Sequence, residues 1–356
     1  MGMSYAWVRP VSVNHLLVPS NQSGFPVPVK VPNTADLKSV ANGGTVTVNA
    51  GAGIPDIAFF SDAGLTLPLA FERTMWDPTT GSCTFYVFSS VSSTVDTVFY
   101  MGYANAAIVA DPQNAPSVWD TNYKGVYHFG DGVTLNLNDS TSNANHLTSN
   151  VGGVTAAVGL VDGAASFDGA TQYLTRLANS GTSAQVPVTM MGLFKATALA
   201  DGIIVAEEAG TQAGIEVGGR LGGVARLAVN GTTGSAVDTV ATYTTGTWHT
   251  MTGVNVSATA HTIYLDGANP ITGTVNLSTP RVPSTIVIGA RFTSSASNFF
   301  NGLIGEARIS DIARSADWCL TEHNSLINIA TFTSLGAASP MGGGSFKSAF
   351  AKNANA

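Results

Sequence analysis

The 356-residue chain has a formal charge of −7, an isoelectric point near 5.2 and no Lys/Arg cluster, so nothing in it neutralises a phosphate backbone, and nucleic acid is excluded as a partner. Charged residues make up only 10% and glycine numbers 39, which disfavours long solvated helices. The length suits about two domains of roughly 150 residues, and no window approaches the roughly 18 consecutive apolar residues of a membrane-spanning helix.

Residues 1–20 contain Arg9 but no apolar run leading to a small-residue cleavage site, so no ordinary secretion signal is expected. From Val8 to about Trp119 short β-branched and aromatic stretches (PVPVKV, TVTVNA, DIAFFS, CTFYVFSS, DTVFYMGYA) alternate with Gly, Pro, Asn and Asp, the spacing of a β-sandwich. CTFYVFSSV and TVFYMGY are apolar at both parities, which predicts strands covered on both faces, whereas TVTVNA alternates as a half-exposed strand does. The Ala-, Asn- and Pro-rich stretch ANAAIVADPQNAPSVWDTNYKG carries little strand pattern and marks a join near residue 120.

A second series of strands follows, including GVYHFG, AASFDG, PVTMMGLFKA, GIIVAEEA, TWHTMTGVNV, HTIYLDG and NGLIGEARIS, at the interval of a jelly roll. Asn230-Gly231 and Asp266-Gly267 tolerate the left-handed backbone of a tight hairpin and predict one at each point. Only residues 315–328 have helical spacing, with Trp318, Leu320 and Leu326 apolar and Ser315 placed to cap the start. The expectation is therefore an all-β chain: a sandwich over 1–119, a jelly roll over 120–338 with one short C-terminal helix, and a Gly/Ala/Ser-rich tail over 339–356. Cys83 and Cys319 are the only cysteines, fall in different predicted domains, and read as buried free thiols.

YHFGDG, DSTSNANHLTS and GLVDGAASFDGATQYLT, then GTWHTMTGVNV with HTIYLDG, then NGLIGEARISDIARSADWCLTEHNS, resemble in order the laminin-G-like, concanavalin-A-like jelly-roll family over about residues 120–338. Upstream, FPVPVKV, LPLAFERTMWDPTTG and TVFYMGYANA resemble a domain of unknown function that often precedes such modules. The pairing is similar to proteins of tailed bacteriophages. It implies a component of the virion surface, made in the host cytoplasm, with other virion proteins, further copies of itself and host-surface glycans as partners. A glycan-binding lectin of a bacterial or archaeal surface, and so extracellular, is the second reading, and a polysaccharide-cleaving enzyme the third.

Glycosidases on this scaffold carry two carboxylates about four residues apart on one strand face. No two of the 22 Asp and Glu residues stand two or four apart, and the adjacent Glu207 and Glu208 would point to opposite sheet faces. Neither H-E-x-x-H, paired C-x-x-C, G-x-S-x-G nor a phosphate loop occurs, so no catalytic residue is assigned and no cofactor is required. His128, His249 and His261 read as hydrogen-bonded structural residues rather than bases. The resemblance implies a structural calcium, held by Glu306 with the backbone near Gly130 or with Asp139; pairing of Glu306 with Arg308, and turn-capping by Asp139, are the alternatives. Tyr243, Trp248 and Phe292 are candidates for stacking on sugar rings, against packing in the core.

Overall fold

The computed structural model describes residues 5–49, 53–182, 186–210, 212–229, 236–274 and 281–342. Four antiparallel sheets dominate. The first sandwich joins a six-stranded sheet to a three-stranded one built from Gln22–Val31, Cys83–Val91 and Phe71–Trp76. The jelly roll joins an eight-stranded to a seven-stranded sheet, with Asn301–Ser310 and Val188–Ala196 central in the first and Gly202–Ala209 central in the second. Among the described residues no helix is long and apolar enough to cross a membrane.

Strand Cys83–Val91 explains why both parities are apolar. Phe85 turns into its own sandwich, edge-on to Phe59 at 5.0 Å, while Tyr86 turns the other way and stacks on His128 of the jelly roll at 4.7 Å. A sheet whose outer face becomes an inner face needs apolar residues on both sides. Continuous with this core are Val126, Met191 and Leu193 from the jelly roll's eight-stranded sheet and Trp318, Leu326 and Phe332 from the C-terminal helices. TVTVNA supplies only the two-residue strand Val48–Asn49, and Ala50 lies outside the described residues.

The chain then returns to where it began. Thr333–Leu335 and Ser339–Pro340 both pair with Trp7–Val13 in the first sheet, so residues assigned by sequence to the jelly roll and its tail complete the N-terminal sandwich. The rest of the predicted tail, 343–356, lies outside the described residues, as does the hairpin expected at Asn230-Gly231. The hairpin at Asp266-Gly267 is present: the two residues have φ of 56° and 65° between Ala260–Leu265 and Ala268–Gly273.

Helix Ala316–Ile327 starts where the sequence places it, with the Ser315 side chain accepting from the Trp318 N–H, and a second short helix, Ile329–Phe332, follows. Ser315→Ala removes that acceptor and is expected to cost about 1 kcal/mol of stability, read as a lower denaturant midpoint at unchanged slope. Both cysteines are free and buried, and burial raises the Cys319 thiol well above its ordinary value.

Candidate functional site

Among the described residues, a group of buried charges lies where the two units meet. Glu306 and Arg308, alternate residues of Asn301–Ser310, point away from the jelly-roll core toward the first sandwich. Glu306 is 0% exposed; its Oε1 accepts from the Tyr86 hydroxyl and meets His128 Nδ1 at 2.7 Å, and its Oε2 accepts from Arg308 Nε at 3.3 Å. His128 Nε2 lies 3.4 Å from Glu72, which also accepts from Trp119 Nε1 at 2.8 Å and Ser140 Oγ at 2.5 Å. Arg308 continues to Glu322 of the helix at 2.8 Å. Beside it the Arg314 guanidinium lies between the rings of Tyr123 and Trp318, at 4.4 and 4.3 Å, and bonds Asp120.

Burial alone would discharge this group, but the charges hold one another. The His128 imidazole is disfavoured as a cation by burial, yet Glu306 and Glu72 lift its pKa well above the ordinary histidine value. Burial likewise opposes the Glu306 carboxylate, while His128 and Arg308 bring it below the usual range. Nearby Asp162 has weaker support, and burial pushes it up to about 7.

These residues do not fit the calcium site. Glu306 spends both oxygens on His128, Tyr86 and Arg308, the pairing with Arg308 that the sequence left open. Asp139 accepts from the N–H groups of Val126, Thr141 and Asn145 and from the Thr141 hydroxyl, at 2.7–3.0 Å, so it caps its turn. No group of three or more His, Cys, Asp or Glu able to hold a metal occurs among the described residues. Millimolar calcium, or a chelator, is expected to leave the thermal midpoint unchanged; a rise with calcium would place an oxygen-ligand site elsewhere on the chain.

The three aromatic candidates part company. Tyr243 is 2% exposed and edge-on to Phe194 at 5.1 Å, so it is core. Trp248 is half-buried beside Gly305, packed against the core that joins the two units, with Lys195 Nζ over its ring 5.3 Å from the centroid. Phe292 is half-buried on the outer face of the seven-stranded sheet, stacked on Tyr173 at 5.7 Å, with Phe299 beside Tyr173 at 6.3 Å. Tyr173 and Phe299 were missed because each sits in a short strand or loop without periodicity.

Next to this trio lies the carboxylate pair that spacing could not show. Glu208 and Glu216 come from neighbouring strands of one hairpin, both 0% exposed. Arg291 grips Glu216 with Nε at 2.6 Å and with Nη2, and Glu208 accepts from the Gly214 N–H at 2.6 Å. Burial and the Glu216 charge push Glu208 up to about 8. Glu207 faces the opposite side, as its adjacency to Glu208 predicts, and bonds Thr182. The histidines behave as structural residues: His249 pairs with Asp266 and His261 with Asn255, each at 2.8 Å.

The profile of the concanavalin A-like lectin/glucanases superfamily matches residues 168–318. This stretch has the concanavalin A-like jelly-roll fold. No curated protein matches the chain. Among solved structures, domain 4 of an extracellular arabinanase from Geobacillus stearothermophilus, solved with arabinotriose, is 18% identical, with TM-score 0.44 over 57% of this chain and 98% of that one. The binding domain of Paraclostridial Mosquitocidal Protein 1 is 13% identical, with TM-score 0.45 over 57% of this chain; the match spans about half of that domain (52%). A heptameric SAP-like pentraxin from Limulus polyphemus is 15% identical, with TM-score 0.38 over 49% of this chain and 92% of that one.

Proposed function

We propose that the chain is a non-catalytic contact protein of a phage virion surface, whose concanavalin A-like domain adheres to carbohydrate. The observation that carries the reading is the state of the carboxylates. Glu208 with Glu216 is the acid pair that a hairpin assembles, both 0% exposed and committed to fixed partners, and Glu306, which His128 links to Glu72, is likewise 0% exposed and bonded. A glycosidase needs one carboxylate to reach the leaving oxygen and the other the anomeric carbon or its water; side chains already bonded under the surface reach neither. What the domain does present is a half-exposed aromatic group, Tyr173, Phe292 and Phe299, a surface on which sugar rings stack. The phage placement rests on the sequence resemblance.

An antibody to the chain is expected to label intact particles in micrographs of the virus stock that encodes it. Labelling of cell debris and not of particles overturns the virion placement and moves the same contact role to a cellular surface.

A further inference from the structure

Where the first sandwich meets the jelly roll, on the side of the linking segment, an open cleft of about 670 Å³ separates the loop Gln113–Pro116 from the turn 136–146. Its size lies within the roughly 300–1,000 Å³ of ordinary ligand clefts, and a boundary between units is where such clefts tend to form.

Every charge on its walls is already committed. Glu72 accepts from Trp119 and Ser140, Arg73 is bidentate to Asp111 at 2.6 and 3.3 Å, and Asp139 is satisfied by four donors. The uncommitted groups are neutral. The carboxamides of Asn114 and Asn138 and the Nδ2 of Asn136 make no bond among the described residues, while Asn136 Oδ1 accepts from the Asn138 N–H at 3.0 Å and so orients its amide. His146 Nδ1 accepts from the Asp139 N–H at 2.9 Å, which puts the ring proton on Nε2 and leaves that N–H for a ligand.

Both walls are fixed before anything binds. The Arg73 N–H donates to Gln113 Oε1 at 2.9 Å, the Asn114 N–H to the Phe71 carbonyl at 2.8 Å, and the Ser140 N–H to the Val126 carbonyl at 3.0 Å. A preformed cleft whose free groups are neutral donors and acceptors, with its charged side chains already hydrogen-bonded, suits a ligand rich in hydroxyls and without net charge.

We infer that this cleft is a second carbohydrate site, selective for neutral oligosaccharides, built jointly by the two units and separate from the Tyr173–Phe292–Phe299 face. It rests on the adhesive reading above. Discrimination against acidic glycans follows because an incoming carboxylate or sulfate finds no free cation and faces Glu72 and Asp139.

The test is calorimetric titration of the full chain, of Asn136→Ala/Asn138→Ala and of Phe292→Ala, with maltohexaose, cellohexaose and xylohexaose, and with hyaluronan and heparin hexasaccharides as anionic probes. Asn136 and Asn138 are exposed, so circular dichroism of the double variant is expected to match the parent. The inference predicts a neutral hexasaccharide bound by the parent and by Phe292→Ala, at least tenfold weaker affinity in the double variant, and no response to the anionic probes. Binding retained by the double variant but lost in Phe292→Ala overturns the cleft and leaves the adhesive reading on the sheet face. Preference for an anionic probe overturns the neutral class. No binding of any probe by the parent overturns the cleft and the carbohydrate reading together.

Discussion

Glu306→Ala is expected to lower folding stability by about 3–5 kcal/mol, the usual cost of removing one partner from a buried ion pair. The loss arises from what is left behind: Arg308 keeps only Glu322, His128 keeps only Glu72, and the Tyr86 hydroxyl has no acceptor, all below the surface. Because these residues come from Cys83–Val91 of the first sandwich and from Asn301–Ser310 and the end of Tyr123–Tyr127 in the jelly roll, the damage should reach both units. Tryptophan fluorescence in urea, which sums five tryptophans spread over both units, should show one transition moved to lower urea. Replacing both partners, in Glu306→Met/Arg308→Met, should cost less than the sum of the single changes, since neither Glu306 nor Arg308 is then left facing the vacated place of the other. Additive losses would mean the pair is not coupled.

The second large effect has the opposite sign. Glu207 sits in the jelly-roll core with only the Thr182 and Ser180 hydroxyls for support, and burial raises it from 4.5 to about 7. A raised carboxylate favours the folded state most at low pH, where it is protonated in both states; that advantage is lost as pH climbs from the unfolded value to the folded one, and is flat above. At about 1.4 kcal/mol per pH unit the burden at pH 8 is on the order of 3 kcal/mol. Glu207→Gln keeps the shape and removes the charge. It should match the parent near pH 4 and exceed it by about 2–3 kcal/mol at pH 8 in paired denaturant titrations. Equal stability at both values would mean that Glu207 ionises freely in the fold.

Much of the architecture is legible because it is local. The both-parity pattern of CTFYVFSSV, the Asp266-Gly267 turn and the Ser315 cap each describe a few consecutive residues, and each is found in place. The electrostatic pairs are not local. Glu306 meets His128 and Tyr86 across 178 and 220 residues, and the only nearby hint was Arg308 two positions on. Glu208 and Glu216 escaped a search for spacings of two or four because a hairpin, not a strand face, brings them together; the Gly at 210 between them, at φ 64°, was the available signal. The return of Thr333–Leu335 and Ser339–Pro340 to the first sheet could not be read from short segments with no alternation of their own. Of the aromatic candidates, Tyr243 is buried while Trp248 and Phe292 stay half-buried, because burial of a single aromatic residue depends on the facing sheet rather than on its own sequence neighbours.

The most direct test of the non-catalytic, adhesive reading is to immobilise the full chain, pass a panel of neutral polysaccharides over it, and assay both retention and new reducing ends. Retention with no reducing ends above the buffer control is the predicted result. Steady release of reducing ends, abolished by Glu216→Gln while the fold persists, would contradict it and turn the buried Glu208–Glu216 pair into a working acid pair.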